Sequence, residues 1–315
     1  MSKTFRIGTR DSELAVWQAA QVQNLLQSRG IKSELVFIKS EGDIDLVTPL
    51  YAIGVQGIFT KTLDAALLSK RIDIAVHSMK DVPVQLAKGI QQAAILKRGN
   101  WKDILVFGQQ STVNSQHNNF KLQISDSQFT VATSSVRRIA QWLHRYPNHT
   151  INNLRGNVNT RLRKLKESKW HGAIFAAAGL ERINLRPENS IDLDWMLPAP
   201  AQGAIMIVCR ENDNEILDVC KSFNDEETAL CTKIEKDFLR ELMGGCSTPI
   251  AALAEIKNNR IVFRGNILSL DGKEKAEVQK TVLINEANNL GKIAAQELLN
   301  NGGGTIAAQI RNAKI

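Results

Sequence analysis

The strongest constraint on this chain is an alternation of short apolar runs with amphipathic helical stretches. That pattern folds as βαβ units around a largely parallel sheet. Phe5-Arg6-Ile7-Gly8-Thr9 reads as a short strand. Arg10-Asp11-Ser12 follows, and Leu14, Val16, Trp17, Val22, Leu25 and Leu26 then mark the apolar positions of a helix over residues 13–28. Gly30 suits its end, because glycine takes the left-handed conformation without steric cost. Residues 34–38 read as a buried strand, residues 60–70 as a helix, and residues 72–77 as another strand. The last leads into Ser78-Met79-Lys80-Asp81-Val82-Pro83.

A similar order begins again past residue 120. Phe129-Thr130-Val131-Ala132-Thr133 resembles the opening strand, and Ser134-Ser135 opens a helix with Val136, Ile139, Ala140 and Leu143 on its apolar face. His171-Gly172-Ala173-Ile174-Phe175-Ala176 matches the 72–77 strand and also leads to a basic residue, Arg182. This internal repeat predicts two α/β units built alike. Pro187, Pro198 and Pro200 mark a boundary, after which residues 201–209 read as a buried strand able to return to the first sheet. The expected domains are therefore 1–98 with 199–222, then 99–198, then a small α+β domain over 223–315. In the third, Asn224 with Glu227 forms a capping-box-like helix start. Leu230, Ile234, Phe238 and Leu242 continue at helical spacing, and Gly244-Gly245 stops the helix. Strands at 260–263 and 280–284 and a last helix over 288–299 complete it.

A length of 315 residues suits two or three domains. With 43% hydrophobic and 23% charged residues, the composition is that of a globular protein. No apolar run reaches about 18 residues, so no membrane span is expected. The first residues lack the apolar core of a secretion signal, which favours the cytoplasm. Cys209, Cys220, Cys231 and Cys246 form no CxxC pair, so free thiols are expected and a metal site is not. The net charge of +8 suits an anionic ligand or nucleic acid. The arginines sit in short motifs at strand ends, not in a tail or stripe, which favours a compact anion. No GxxxxGK[ST] or GxGxxG loop points to a nucleotide.

Four segments carry chemistry. Thr133-Ser134-Ser135-Val136-Arg137-Arg138 lies at a strand-to-helix turn, where backbone N–H groups favour an anion and each guanidinium can grip a carboxylate. Leu154-Arg155-Gly156-Asn157-Val158-Asn159-Thr160-Arg161 places Arg155 before a helix and Arg161 about one and a half turns on, where both can face one cleft. His77 to Pro83 sits at the end of a parallel strand, where open α/β sheets place ligands. It offers Lys80 as a cation and Asp81 as a carboxylate able to stabilise positive charge or move a proton. Gly244-Gly245-Cys246-Ser247-Thr248 puts one cysteine in a loop, where its sulfur can be exposed, unlike the three in apolar segments.

Together with Ile7-Gly8-Thr9-Arg10, Ser12, Leu14-Ala15, Trp17-Gln18, Ala178-Gly179-Leu180-Glu181-Arg182 and Pro200-Ala201-Gln202-Gly203-Ala204, these segments resemble the porphobilinogen deaminase family, in order from residue 5 to about 255. The resemblance implies two α/β domains like those of a periplasmic binding protein, with the active cleft between them, and a small C-terminal domain. It implies a transferase that condenses four porphobilinogens, each losing ammonia, into the linear tetrapyrrole hydroxymethylbilane. A dipyrromethane cofactor would be held by a thioether to Cys246 and gripped by Lys80, Ser135, Arg137 and Arg138. Arg10, Ser12, Arg155, Arg161 and Arg182 would bind the incoming ring, with Asp81 catalytic. A monomer that binds no nucleic acid or membrane is implied. Two positions depart from the family: Gln56 stands where a lysine is usual, and Thr62 where an acid is usual. A non-catalytic anion-binding protein is the alternative, but it needs no loop cysteine.

Overall fold

The computed structural model describes residues 3–39, 60–109, 128–242 and 248–313. The first sheet contains β1 (Phe5–Thr9), β2 (Ser33–Phe37), β3 (Ile74–Ser78) and β4 (Ile90–Leu96). The second contains β5 (Asp103–Phe107), β6 (Thr130–Ala132), β7 (Thr150–Asn152), β8 (Gly172–Ala176) and β9 (Ser190–Asp192). β10 (Ile205–Arg210) then returns to the first sheet, between β3 and β4.

The two sheets share one layout. The first runs β2-β1-β3-β10-β4 and the second β7-β6-β8-β5-β9. In each, the second strand is parallel to both neighbours. The fourth is antiparallel to the strands beside it. That fourth strand is the one entering or leaving by a crossover, so the chain passes between the sheets twice, over residues 97–102 and 193–204. The crossovers are stitched together: Gly99 N donates to Gly203 O at 3.0 Å, and Gln202 Nε2 donates to Trp101 O at 2.7 Å.

Both faces of each sheet are covered, which explains the near-continuous apolar runs of the central strands. On one side of the first sheet α1 (Glu13–Ser28) packs Ala19, Val22 and Leu26 over Ile7 and Ile74. On the other, α2 (Lys61–Leu68) packs Leu63 and Leu67 near Ala75 and Met206. The second sheet carries α3 (Val136–Arg145), α4 (Val158–Glu167) and the short α5 (Ala177–Glu181). Trp142 of α3 is fully buried against Phe107, Phe129 and Val131. The next helix, α6 (Asn214–Lys221), adds Ile216 and Cys220 to the core of the first sheet.

The C-terminal unit sets α7 (Glu226–Glu241) against an antiparallel sheet of β11 (Ile250–Lys257), β12 (Arg260–Leu268) and β13 (Lys275–Leu283). A Cβ on Gly265 would lie 2.6 Å from the Phe238 ring, so glycine there lets helix and sheet close. The α7 cap differs from the sequence expectation. Asp225, not Asn224, accepts from the backbone N–H of Thr228, while Asn224 Oδ1 accepts from Ile95 N in the first sheet. The expected final helix is α8 (Leu290–Leu298), and an unexpected α9 (Gly304–Asn312) follows it. Between them the helical backbone breaks at Asn301 and Gly302 (φ 94°). Ile306 and Ile310 then recover enough burial to start another helix. Among the described residues no helix is long and apolar enough to cross a membrane.

Candidate active site

The carboxyl ends of the parallel strands in both sheets face one cleft, a cavity of about 300 Å³. Beyond β1, the chain supplies Arg10 and Ser12; beyond β3, Lys80 and Asp81 on the 3₁₀ turn Met79–Asp81; beyond β6, Ser135, Arg137 and Arg138. Arg155 and Arg161 line it from the loop before α4 and from α4 itself. Leu239, Thr248 and Ile250 line it from the C-terminal unit. Cys246 lies outside the described residues, as does Gln56; Thr248, two positions along the chain, is a wall of the cavity.

Local structure leaves this cleft receptive to anions. Ser12 and Ser135 hold the N-cap positions of α1 and α3 with extended backbones, yet neither side chain caps its helix. The first-turn N–H groups of both helices thus add positive potential. By contrast, Asn157 does cap α4, accepting from Thr160 N at 2.9 Å. Gly156 before it has φ 115°, and a Cβ there would meet Thr160 at 2.6 Å. Glycine is therefore what allows Arg155 and the α4 N-terminus to meet at this angle.

The wall carries Arg10, Lys80, Arg137, Arg138, Arg155 and Arg161 against the carboxylates Glu13 and Asp81. Desolvation is the dominant cost of holding such cations out of water. Burial pulls Lys80 below the usual lysine range, with Asp81 opposing. Burial, reinforced by Arg138, brings Arg161 down to about 10. His77, also on the wall, is pushed down to about 4 by burial, against the pull of Asp81, and is held neutral. Among the described residues, His77 Nε2 and Arg137 Nε are buried with no hydrogen-bond partner.

The arginine pair has an internal anchor that no motif flagged. Asp103, fully buried at the start of β5, accepts from Arg137 Nη1 at 2.6 Å through Oδ2. Its Oδ1 accepts from Arg138 Nη2 at 2.7 Å and from Gln202 Nε2 at 3.0 Å. Burial alone would raise the Asp103 carboxyl, but Arg137 and Arg138 hold it well below the usual carboxylate range. Arg182 is placed differently from the other expected residues. It is not among those lining the cavity; its Nη2 donates to Gly203 O at 2.6 Å and its guanidinium lies 5.6 Å from the Trp17 ring centre. Thr62, in α2, has a buried hydroxyl with no partner among the described residues. The remaining cysteines are buried, and burial raises Cys209 to about 11 and both Cys220 and Cys231 to about 12, which keeps them as unreactive thiols.

Fold and site together define an α/β protein with two similarly laid-out sheets flanking a basic cleft and a smaller C-terminal unit lining it. Residues 5–218 match the family model described as "Porphobilinogen deaminase, dipyromethane cofactor binding domain", and residues 229–300 match "Porphobilinogen deaminase, C-terminal domain". The porphobilinogen deaminase of Syntrophomonas wolfei is 39% identical over 313 residues, 98% of this chain and 99% of its own. That of Desulforamulus reducens is 38% identical over 315 residues, 99% of each chain. Among solved structures, an ancestral cationic amino acid solute binding protein aligns with 70% of this chain and 87% of its own, at TM-score 0.43 and 13% identity. The chain belongs to the porphobilinogen deaminase family. It is accordingly a transferase of tetrapyrrole biosynthesis with a dipyrromethane cofactor domain.

Proposed function

We propose that this chain condenses porphobilinogen units with Asp81 as its catalytic carboxylate and the surrounding cations as carboxylate clamps. The observation that carries the reading is the placement of Asp81 at the carboxyl end of β3, on the wall of a cavity whose other charged groups among the described residues are Glu13 and six cations. The donor set fits a dipyrromethane, whose rings carry acetate and propionate groups. The excess of positive charge on the cavity wall, and Arg137 Nε, which has no partner among the described residues, both call for anionic acceptors.

Lys80, Ser135, Arg137 and Arg138 are assigned to hold the cofactor, attached through Cys246. When bound, it supplies the free pyrrole α-carbon on which rings are added. Arg10, Ser12, Arg155 and Arg161 hold the side groups of the incoming porphobilinogen, and Arg182, whose Nη2 donates to Gly203 O, is assigned with them by the family resemblance alone. Asp81 stabilises positive charge developing on the pyrrole nitrogen of porphobilinogen as its aminomethyl nitrogen leaves as ammonia. It also carries a proton between its carboxyl and that leaving nitrogen. Neutral His77 beside it adds no competing charge. We assign the chain, by its family, to a monomer in the cytoplasm.

The test is intact mass combined with turnover. Wild-type protein should exceed its sequence mass by two linked pyrrole units, and Cys246→Ala should lack the excess. Asp81→Asn should keep the excess and lose porphobilinogen consumption by about 100-fold or more. An unmodified and inactive wild type overturns the reading, and near-normal turnover in Asp81→Asn removes Asp81 from the mechanism.

A further inference from the structure

Arg137 and Arg138 are consecutive residues in the first turn of α3, and neighbouring helical side chains diverge by about 100°. Two such guanidiniums converge on one ligand only if something outside the helix gathers them. Asp103 does this from a different strand. One of its oxygens takes Arg137 Nη1 at 2.6 Å, and the other takes Arg138 Nε at 3.1 Å and Nη2 at 2.7 Å. Backbone carbonyls fix the outer edges: Leu197 O accepts from Arg137 Nη1 at 2.6 Å, and Ile174 O accepts from Arg138 Nη1 at 2.9 Å. Asp103 is fully buried and is not among the cavity-lining residues, so it stands behind the arginines.

Gln202 completes the arrangement. It too is fully buried, although unlike Asp103 it also lines the cavity; its Nε2 donates to Asp103 Oδ1 at 3.0 Å and to Trp101 O at 2.7 Å, and its Oε1 accepts from Arg137 Nη2 at 3.5 Å. Trp101 lies on the first crossover and Gln202 on the second. The carboxylate that orders the arginine pair is therefore held by both strands of the connection between the domains.

We infer that Asp103, steadied by Gln202, is a positioning residue that presets Arg137 and Arg138 for the carboxylates of the dipyrromethane. This rests on the assignment of that arginine pair to the cofactor. Preset donors bind without first losing side-chain freedom, which is where long arginine side chains otherwise forfeit affinity. A charge-only account predicts the opposite sign: removing an anion beside two cations should strengthen their hold on a polycarboxylate.

The experiment follows cofactor loading by intact mass, as purified and during incubation of the unloaded fraction with porphobilinogen. Thermal melting is measured alongside. Asp103→Asn keeps the shape and loses the charge. It should fold and load about tenfold or more slowly, the loss expected for charge-assisted hydrogen bonds. Gln202→Met, which leaves Asp103 and both ion pairs intact, should slow loading several-fold with little change in melting. Loading of Asp103→Asn at or above the wild-type rate overturns the inference. If Asp103→Asn does not fold, Gln202→Met decides, and wild-type loading there overturns it. Arg138→Gln separates the two layers. Should it load normally, the cofactor assignment itself fails. If it loads poorly while Asp103→Asn loads normally, only the positioning role fails.

Discussion

Replacing Glu235 by glutamine should destabilise the protein by about 3 kcal/mol, because one buried carboxylate joins both domain crossovers to the C-terminal unit. Glu235, in α7, is fully buried. Its Oε1 accepts from Arg98 Nη1 at 2.6 Å and from Ala254 N at 2.8 Å. Its Oε2 accepts from Arg98 Nη2 at 3.2 Å and from Ala201 N at 2.6 Å, where Ala201 holds a left-handed φ of 63°. A glutamine must turn its NH2 toward one of these donor pairs. That loses two hydrogen bonds and leaves Arg98, whose side chain is only 11% exposed, without its counter-charge. A hydrogen bond to a charged group is worth about 1.5–3 kcal/mol and a broken buried ion pair about 3–5 kcal/mol, so about 3 kcal/mol is the central expectation. For 315 residues, an unfolding entropy of about 2.1 cal/mol/K per residue converts this into a fall in Tm of about 5 °C. Calorimetric melting of Glu235→Gln, Arg98→Met and the double variant tests it. The double variant should lose less than the sum of the singles by about 1 kcal/mol or more, since the first substitution already breaks the shared contact. A Tm within 1 °C of wild type (roughly 0.7 kcal/mol by the same conversion), or strictly additive losses, would refute the argument.

Other expectations follow from the same geometry. The fold keeps His77 neutral down to about pH 4, whereas an unfolded histidine takes its proton near pH 6.5. Stability from this group is complete above pH 6.5 and falls as pH drops to 4, by up to about 3 kcal/mol. Urea midpoints across that window should show the slope in wild type and lose it in His77→Gln. Gly156→Ala places a methyl group against Thr160 at φ 115°, and should cost about 1–3 kcal/mol with weaker porphobilinogen binding through a displaced Arg155. Normal melting and normal KM would contradict that reading. Gly265→Val drives a side chain into the Phe238 ring and should lower Tm through strain of about 1–3 kcal/mol while leaving Cys246 chemically intact. An unchanged melting curve would show that α7 and the C-terminal sheet do not pack as described.

The α/β units were legible because their signals are local. A run such as Ile74-Ala75-Val76 has to be a buried strand, and the spacing of Val22 and Leu26 has to be a helix face. The doubled order of strands gave away the repeat that the two sheet layouts share. The cap of α7 was missed by one residue because Asn224 and Asp225 are both competent caps. Which one faces Thr228 depends on Ile95, whose backbone N–H occupies Asn224. Helix α9 was missed because its glycine-rich start weakens local propensity, and only burial of Ile306 and Ile310 in the C-terminal core restores it.

The sequence by itself determined which residue types reach the cleft. Turn chemistry and strand-end position are encoded over a few neighbours, so Asp81, Arg138 and Arg155 could be named from short motifs, whereas Arg10 was named from the family resemblance. Only the tertiary structure decided how those charges are partnered. Asp103 lies 35 residues from Arg138, Gln202 lies 99 from Asp103, and Glu235 lies 137 from Arg98. An aspartate at the head of an apolar strand has no local signature. Its role comes from being sealed from water beside two guanidiniums, and that burial exists only once both crossovers have packed against the second sheet.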